Sequence, residues 1–276
     1  MLRRTLVTTV LALAATACSQ APLQPAAAGP QAEVLWLGQA AFKITSPGGK
    51  VIVTDPWLLR NPRTPAQYKD LAALGKVDVI LVTHGHLDHI ADAPALARLN
   101  KVPIYAPGGL NQSLATLEVL PPELLPRFDK GGTVQPAPGI RVMATRAEHS
   151  SVYVWQNPAT GKSETHVGGE PMGFIIEMEN GFRIYHMGDT DLFGDMKLIA
   201  ERYKPDLILI PIGGNFTMDP VDAALATRDF FKPKFAIPMH YGANPLGKGT
   251  PEEFIRALGS TPTRVIPLNP GEKAEF

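Results

Sequence analysis

From Glu33 onward, runs of apolar residues alternate with mixed segments in which apolar residues return every three or four positions. Two strand-like runs, Val34 to Ile44 and Lys50 to Thr54, flank Pro47-Gly48-Gly49 and predict a hairpin. Asp78 to Val82 is continuously apolar after its first residue, as expected of a strand covered on both faces. A helix over Asp92 to Leu99, a strand over Val102 to Tyr105 and a helix near Leu110 to Val119 follow. Strands recur at Ile140 to Ala144, Gly173 to Met178 and Phe182 to His186, the last two flanking Asn180-Gly181. Helix Met196 to Tyr203 leads to strand Leu207 to Pro211, and helix Val221 to Phe231 leads to strand Phe235 to Pro238. Thr250-Pro251-Glu252-Glu253 starts a capped final helix. Paired strands and helices in both halves, without a 20–50-residue repeat, predict one layered α/β domain over residues 32–276, with two sheets inside and helices outside.

Composition narrows the chemistry. Among 276 residues, 26 Lys+Arg balance 26 Asp+Glu, 45% are hydrophobic and one is cysteine. A neutral chain without a basic stripe is not built for nucleic acid, and this hydrophobic content excludes wholesale disorder. A single cysteine forms no internal disulfide and no thiolate zinc cage, so any metal must use imidazole and carboxylate.

The start of the chain reads differently. Arg3 and Arg4 precede the uncharged stretch Thr5 to Ala17, which is shorter than the ~20 residues a spanning helix needs. Ala15-Thr16-Ala17-Cys18 resembles the lipobox of bacterial lipoproteins, with Ala15 where leucine is usual. The expectation is a signal peptide over 1–17, lipidation at Cys18 and an uncharged, Pro/Ala-rich tether over 18–31. Ser19 then favours outer-membrane sorting from the periplasm, with the lipid as the membrane contact. Cleavage to a soluble periplasmic protein is the alternative.

The chemistry-bearing segment is Thr83-His84-Gly85-His86-Leu87-Asp88-His89, directly after the apolar strand. His84 and His86, alternate residues, can face one ion; Asp88 and His89 can turn to a second beside it. Gly85 permits the tight backbone path. This H-x-H-x-D-H segment resembles the signature of the metallo-β-lactamase superfamily. The resemblance runs from Glu33 to Phe276 and takes in His149 of Ala147-Glu148-His149-Ser150, Asp189 of Met187-Gly188-Asp189-Thr190 and His240 of Pro238-Met239-His240-Tyr241.

The resemblance implies a four-layer αββα sandwich and two zinc ions, with iron or manganese also suited to such ligands. His84, His86 and His149 would hold the first ion and Asp88, His89 and His240 the second, with Asp189 bridging. A hydroxide generated from water shared by the two ions would attack an ester, lactone or phosphodiester. Asp88, Asp189 and Tyr241 are the candidate catalytic groups, Tyr241 as a hydrogen-bond donor to the oxyanion or leaving group. Trp36-Leu37-Gly38-Gln39-Ala40-Ala41-Phe42 and Tyr185-His186-Met187-Gly188-Asp189-Thr190 look closest to the metal-dependent hydrolase branch, which resembles ascorbate-6-phosphate lactonases and N-acyl-phosphatidylethanolamine phospholipases. Gln39 stands where many members have histidine. A bridging aspartate without a ligand cysteine speaks against β-lactam hydrolysis.

Asp55 is expected to orient the metal loop, His186 to pack or support a ligand, and His166 to lie exposed in a loop over Ser151 to Pro171. Arg60 and Arg63 are candidates for contact with a small anionic substrate, a solvated loop being the plainer reading. An iron oxidoreductase on the same fold and a metal-stabilised binding protein without turnover are the alternatives.

Overall fold

The central strands bury both faces, and the alternation of side chains sorts them between layers. The computed structural model describes residues 31–276; the signal, Cys18 and nearly all of the tether lie outside the described residues. The first half contributes β1 (Glu33–Gly38), β2 (Ala41–Thr45), β3 (Val51–Thr54), β4 (Val79–Leu81) and β5 (Ile104–Tyr105), with helices α1 (Leu87–Ile90), α2 (Ala93–Asn100) and α3 (Gly108–Thr116). The second half contributes β6 (Thr133–Ala137), β7 (Ile140–Arg146), β8 (Val152–Gln156), β9 (Ser163–Val167), β10 (Met172–Glu177), β11 (Arg183–His186), β12 (Leu207–Pro211), β13 (Phe235–Met239), β14 (Arg264–Val265) and β15 (Lys273–Glu275). Its helices are α4 (Met196–Tyr203), α5 (Pro220–Leu225), continued by a π-helical turn over Ala226–Phe231, and α6 (Pro251–Leu258).

One sheet has the order β15-β1-β2-β3-β4-β5 and the other β14-β13-β12-β11-β10-β7-β6. Val34, Trp36, Phe42, Ile52 and Leu81 of the first sheet meet Val142, Phe174, Ile184, Leu207 and Leu209 of the second in one buried cluster. The alternate residues Leu35, Leu37, Val53 and Ile80 face outward under α2 and α3, beside Leu96, Leu110 and Leu114. Ile175, Tyr185, Ile208 and Ile210 face outward under α4, α5 and α6, against Met196, Ala223 and Phe254. A period of two that is apolar at both phases requires cover on both sides, and the result is helix–sheet–sheet–helix. Each fully buried Leu or Ile contributes about 2 kcal/mol by removal from water. The helices use the expected local signals: in α6, Thr250 Oγ1 accepts from the Glu253 backbone while the Glu253 carboxylate accepts from the Thr250 backbone.

Three features differ from expectation. The run Val34 to Ile44 is two strands, because the chain reverses at Gly38-Gln39-Ala40 and pairs β1 with β2. Gly38 and Gln39 both have positive φ there, +105° and +54°. The segment Ser151 to Pro171 forms the antiparallel ribbon β8–β9, not an open loop. Tyr153 and Trp155 anchor it to the outer core of the first sheet, an alternation that its Gly, Ser and Thr content obscures. Strands β6 and β15 lie at sheet edges, where polar alternation carries little hydrophobic signal.

Candidate metal centre

Four strands end on the same side of the sandwich, and each delivers part of one cluster. β4 leads into His84; β11, β12 and β13 run parallel, and β7 runs parallel with β11 because both oppose β10. His149 therefore follows the end of β7, Asp189 that of β11 and His240 that of β13. The second half of the histidine motif winds into α1, a single turn with His86 at its N-cap and the His89 N–H donating to the His86 carbonyl at 3.0 Å. That turn carries Asp88 and His89 side by side.

All seven predicted ligands are brought together. His86 Nδ1 lies 3.0 Å from His84 Nε2 and 3.3 Å from His149 Nε2. On the deeper side, Asp88 Oδ2 lies 3.4 Å from His240 Nε2 and 3.7 Å from His89 Nε2. Asp189 Oδ2 stands between the two groups, 3.0 Å from His240 Nε2, 3.3 Å from His89 Nε2, 3.6 Å from His149 Nε2 and 4.0 Å from His84 Nε2. His84, His89, Asp189 and His240 are buried, while His86, Asp88 and His149 open toward solvent.

Behind these atoms a buried network fixes which nitrogen faces inward. Asp55 Oδ1 accepts the Thr83 N–H at 2.7 Å, and its Oδ2 accepts the Thr83 hydroxyl at 2.8 Å. His89 Nδ1 lies 2.8 Å from Asp55 Oδ2 and donates to it. Because the Thr83 hydroxyl donates to Asp55, its oxygen accepts from His84 Nδ1 at 3.1 Å. Both rings are thereby held with Nδ1 protonated and Nε2 free, the arrangement that metal-binding histidines need. Asp55 occupies the position expected of an orienting carboxylate, and Thr83 is a member that the sequence reading overlooked.

The donor set fits divalent cations. Burial, reinforced by the charge of His89, holds His84 well below the ordinary histidine value, and burial lowers His86 and His149 as well. Burial also opposes the charged form of His240, but Asp189 and Asp88 outweigh it and raise this histidine to about 9; Asp189, Asp88 and Asp55 raise His89 in the same way. Burial would raise Asp189, yet His240 and His89 hold it well below the usual carboxylate range. Neutral imidazoles on one side and the Asp88 and Asp189 carboxylates on the other make a donor set suited to cations, which would displace the protons that His89 and His240 otherwise carry. Two buried polar atoms in the middle, His89 Nε2 and Asp189 Oδ1, have no hydrogen-bond partner, which is costly for groups so far from water unless an ion engages them.

Backbone strain surrounds the cluster. Asp55 and His240 adopt φ of +41° and +58°, and Gly188, next to Asp189, adopts +65°. A Cβ on Gly188 would stand 2.9 Å from Thr83 Cβ and 3.0 Å from the Met172 carbonyl, so glycine is required where the two sheets approach.

Of the remaining expectations, those for Tyr241 and His166 differ from the structure, while His186 is packed and Arg60 and Arg63 are exposed as expected. Tyr241, expected to donate into the site, packs against Trp36 at 5.2 Å between ring centroids and donates its hydroxyl to the Leu268 carbonyl at 3.3 Å. The left-handed backbone at His240 turns its neighbour toward the sheet interface, so the donor is committed elsewhere. His186 is buried, with Nε2 donating to the Ala40 carbonyl at 2.9 Å and Nδ1 accepting from the Gly188 N–H at 3.2 Å. It thus ties the turn after β1 to the loop that carries Asp189. His166 is half-buried against Trp155, instead of exposed, and lies in the ribbon outside the cluster. Arg60 and Arg63 are exposed, and the Arg63 guanidinium lies beside Gly242: a Cβ there would stand 3.7 Å from its Cζ. Gln39 Nε2 donates to Asp88 Oδ2 at 2.9 Å and lies 2.8 Å from His240 Nε2, contacts spanning 49 and 201 positions that spacing along the chain does not reveal.

An αββα sandwich with a His/Asp cluster at the strand ends defines a hydrolase of the metallo-β-lactamase class, and comparison with known proteins agrees. Residues 50–241 match the family model described as the Beta-lactamase superfamily domain. A UPF0173 metal-dependent hydrolase of Polaromonas sp. is 69% identical over 266 residues, covering 94% of this chain and 97% of the relative. One of Cupriavidus necator is 58% identical and covers 100% of this chain and 99% of the relative. Among solved structures, Igni18, a metallo hydrolase from Ignicoccus hospitalis, is 31% identical with a TM-score of 0.74, covering 89% of this chain and 98% of that one. The chain belongs to the UPF0173 metal-dependent hydrolases of the β-lactamase superfamily.

Proposed function

We propose that this metal-dependent hydrolase works with two zinc ions and cleaves an ester, lactone or phosphodiester bond in a small, anionic molecule. One observation carries the reading: Asp189 Oδ2 stands within 3.0–4.0 Å of nitrogen atoms from both ligand groups, so a single carboxylate can serve two ions. His84, His86 and His149 would hold the first ion and Asp88, His89 and His240 the second. Ligand bonds near 2.0–2.2 Å suit zinc with nitrogen and oxygen donors. When bound, the ions supply an acidified water and Lewis-acid polarisation of the scissile oxygen.

The chain's own groups do the rest. Asp55 and Thr83 keep His84 and His89 in the tautomer that leaves Nε2 free. Burial would raise Asp88, yet His89 and His240 hold it well below the usual carboxylate range, so it stays ionised and would accept a hydrogen bond from the attacking water at the half-exposed side of the site. Asp189, buried, stays ionised throughout. Arg63, at the rim beside Gly242, receives a phosphate or carboxylate of the substrate.

The proposal extends to location. Arg3-Arg4, the uncharged stretch to Ala17 and Cys18 support export and lipid anchoring, with the catalytic domain held on its tether outside the inner membrane.

Elemental analysis of purified protein should give two zinc equivalents, and a panel of lactones, thioesters and phosphodiesters should outperform penicillins and carbapenems. One iron with no zinc would overturn the hydrolytic zinc reading in favour of oxidation chemistry. Efficient β-lactam hydrolysis that is lost in His84→Ala would overturn the substrate class.

A further inference from the structure

We propose that Gln39 supplies its side-chain carbonyl oxygen as a further ligand at the Asp88–His89–His240 position. The proposal rests on the reading of that cluster as a metal site, and it concerns a residue outside the seven ligands named above.

Three observations lead to it. The first is spacing. Ligand bonds of about 2.0–2.2 Å at tetrahedral or octahedral angles place neighbouring donor atoms roughly 3.0–3.4 Å apart. Asp189 Oδ2 to His240 Nε2 is 3.0 Å and Asp88 Oδ2 to His240 Nε2 is 3.4 Å. The end of the Gln39 side chain belongs to the same set, 2.9 Å from Asp88 Oδ2 and 2.8 Å from His240 Nε2.

The second is lone-pair accounting. His240 Nε2 has one in-plane lone pair, and once a cation takes it the Gln39 NH2 group keeps only Asp88 Oδ2 to donate to. A half-turn of the amide exchanges its nitrogen and oxygen and aims the oxygen at the cation. In its present place Oε1 is buried without a partner, so the half-turn gives up only the contact to Asp88.

The third is how firmly the residue is held. Gln39 is 2% exposed and adopts φ +54°, and its backbone carbonyl accepts from Trp36 Nε1 and from the His240 N–H, both at 3.0 Å. The last bond joins the turn after β1 directly to a ligand residue on the opposite sheet. A strained, doubly anchored backbone of this kind is a device for presenting one side chain.

The consequence is an asymmetric pair of positions. The first has three imidazoles and a share of Asp189. The second has Asp88, His89, His240, a share of Asp189 and a neutral, hard amide oxygen, a set that favours five or six ligands over four.

The experiment titrates metal-free protein with Co2+, whose visible bands are strong in four-coordinate and weak in five- or six-coordinate surroundings, and counts bound ions by equilibrium dialysis. Wild type should take two ions, the second with weak bands. Gln39→Met should weaken the second ion by at least about tenfold, leave the first unchanged and intensify the remaining bands. Gln39→Glu, which keeps an oxygen and lacks the N–H, should retain the second ion to within a few-fold. An unaltered second ion in Gln39→Met would overturn the proposal. Equal losses in both variants would overturn it too, since they would mean that Gln39 serves Asp88 through its N–H. Failure of the metal-centre reading looks different: wild type would take fewer than two ions, or His240→Ala would still take two.

Discussion

Replacing Asp189 by asparagine removes one negative charge and almost no volume, which makes it the sharpest probe of the cluster. The wild-type oxygen lies 3.0, 3.3, 3.6 and 4.0 Å from the nitrogens of His240, His89, His149 and His84. A unit charge about 3–4 Å from another is worth roughly 4–5 kcal/mol at an effective dielectric constant near 20. The asparagine oxygen keeps a dipole and recovers part of that, so a net loss of about 3 kcal/mol is expected, or ~10²-fold in turnover, comparable with removing one oxyanion-hole donor. The fold should survive, because the amide keeps the shape of the carboxylate that Gly188 and the β11 end accommodate. The second ion should bind most weakly, and its departure should move the acidic limb of the pH–rate profile to higher pH. The assay combines steady-state turnover across pH with metal content measured on the same samples. Two ions, wild-type turnover and an unmoved profile in Asp189→Asn would refute the bridging role.

Further outcomes follow from the same geometry. Metal-free protein should lose stability as pH rises from about 6.5 to about 9. His240 has its ordinary value of 6.5 when unfolded and about 9 when folded, so its contribution, on the order of 3 kcal/mol, is complete below 6.5 and gone above 9. Denaturant melts of metal-free protein that are flat over this range would show that Asp189 and Asp88 do not hold that proton. Gly188→Ala should cost about 2–4 kcal/mol, combining left-handed backbone with a methyl 2.9 Å from Thr83, and should reduce metal content by displacing Asp189. An unchanged melting temperature and metal content would mean that the loop yields easily. Cys18→Ala should abolish palmitate labelling and detergent partitioning in a bacterial host, and labelling that persists would rule out lipidation at this residue.

The strand and helix plan was legible because β4, β12 and the other central strands are covered on both faces and so spell continuous apolar runs, while α4 and α6 keep a single apolar stripe. The histidine motif was legible for a related reason: His84 to His89 are near neighbours in sequence, and the turn of α1 that presents them is set locally. Local pattern could not place β15 against β1, because an edge strand of alternating charge has no apolar signature and its partner lies at the far end of the domain. Nor could it decide the direction of Tyr241. That depends on the left-handed backbone at His240, which its bond to the Gln39 carbonyl fixes from the opposite sheet. The role of Gln39 itself is the clearest case. Its chemistry is an amide like any other until two sheets pack and bring it within 3 Å of Asp88 and His240, because hydrogen-bond and ligand distances are properties of packed layers and not of positions along a chain.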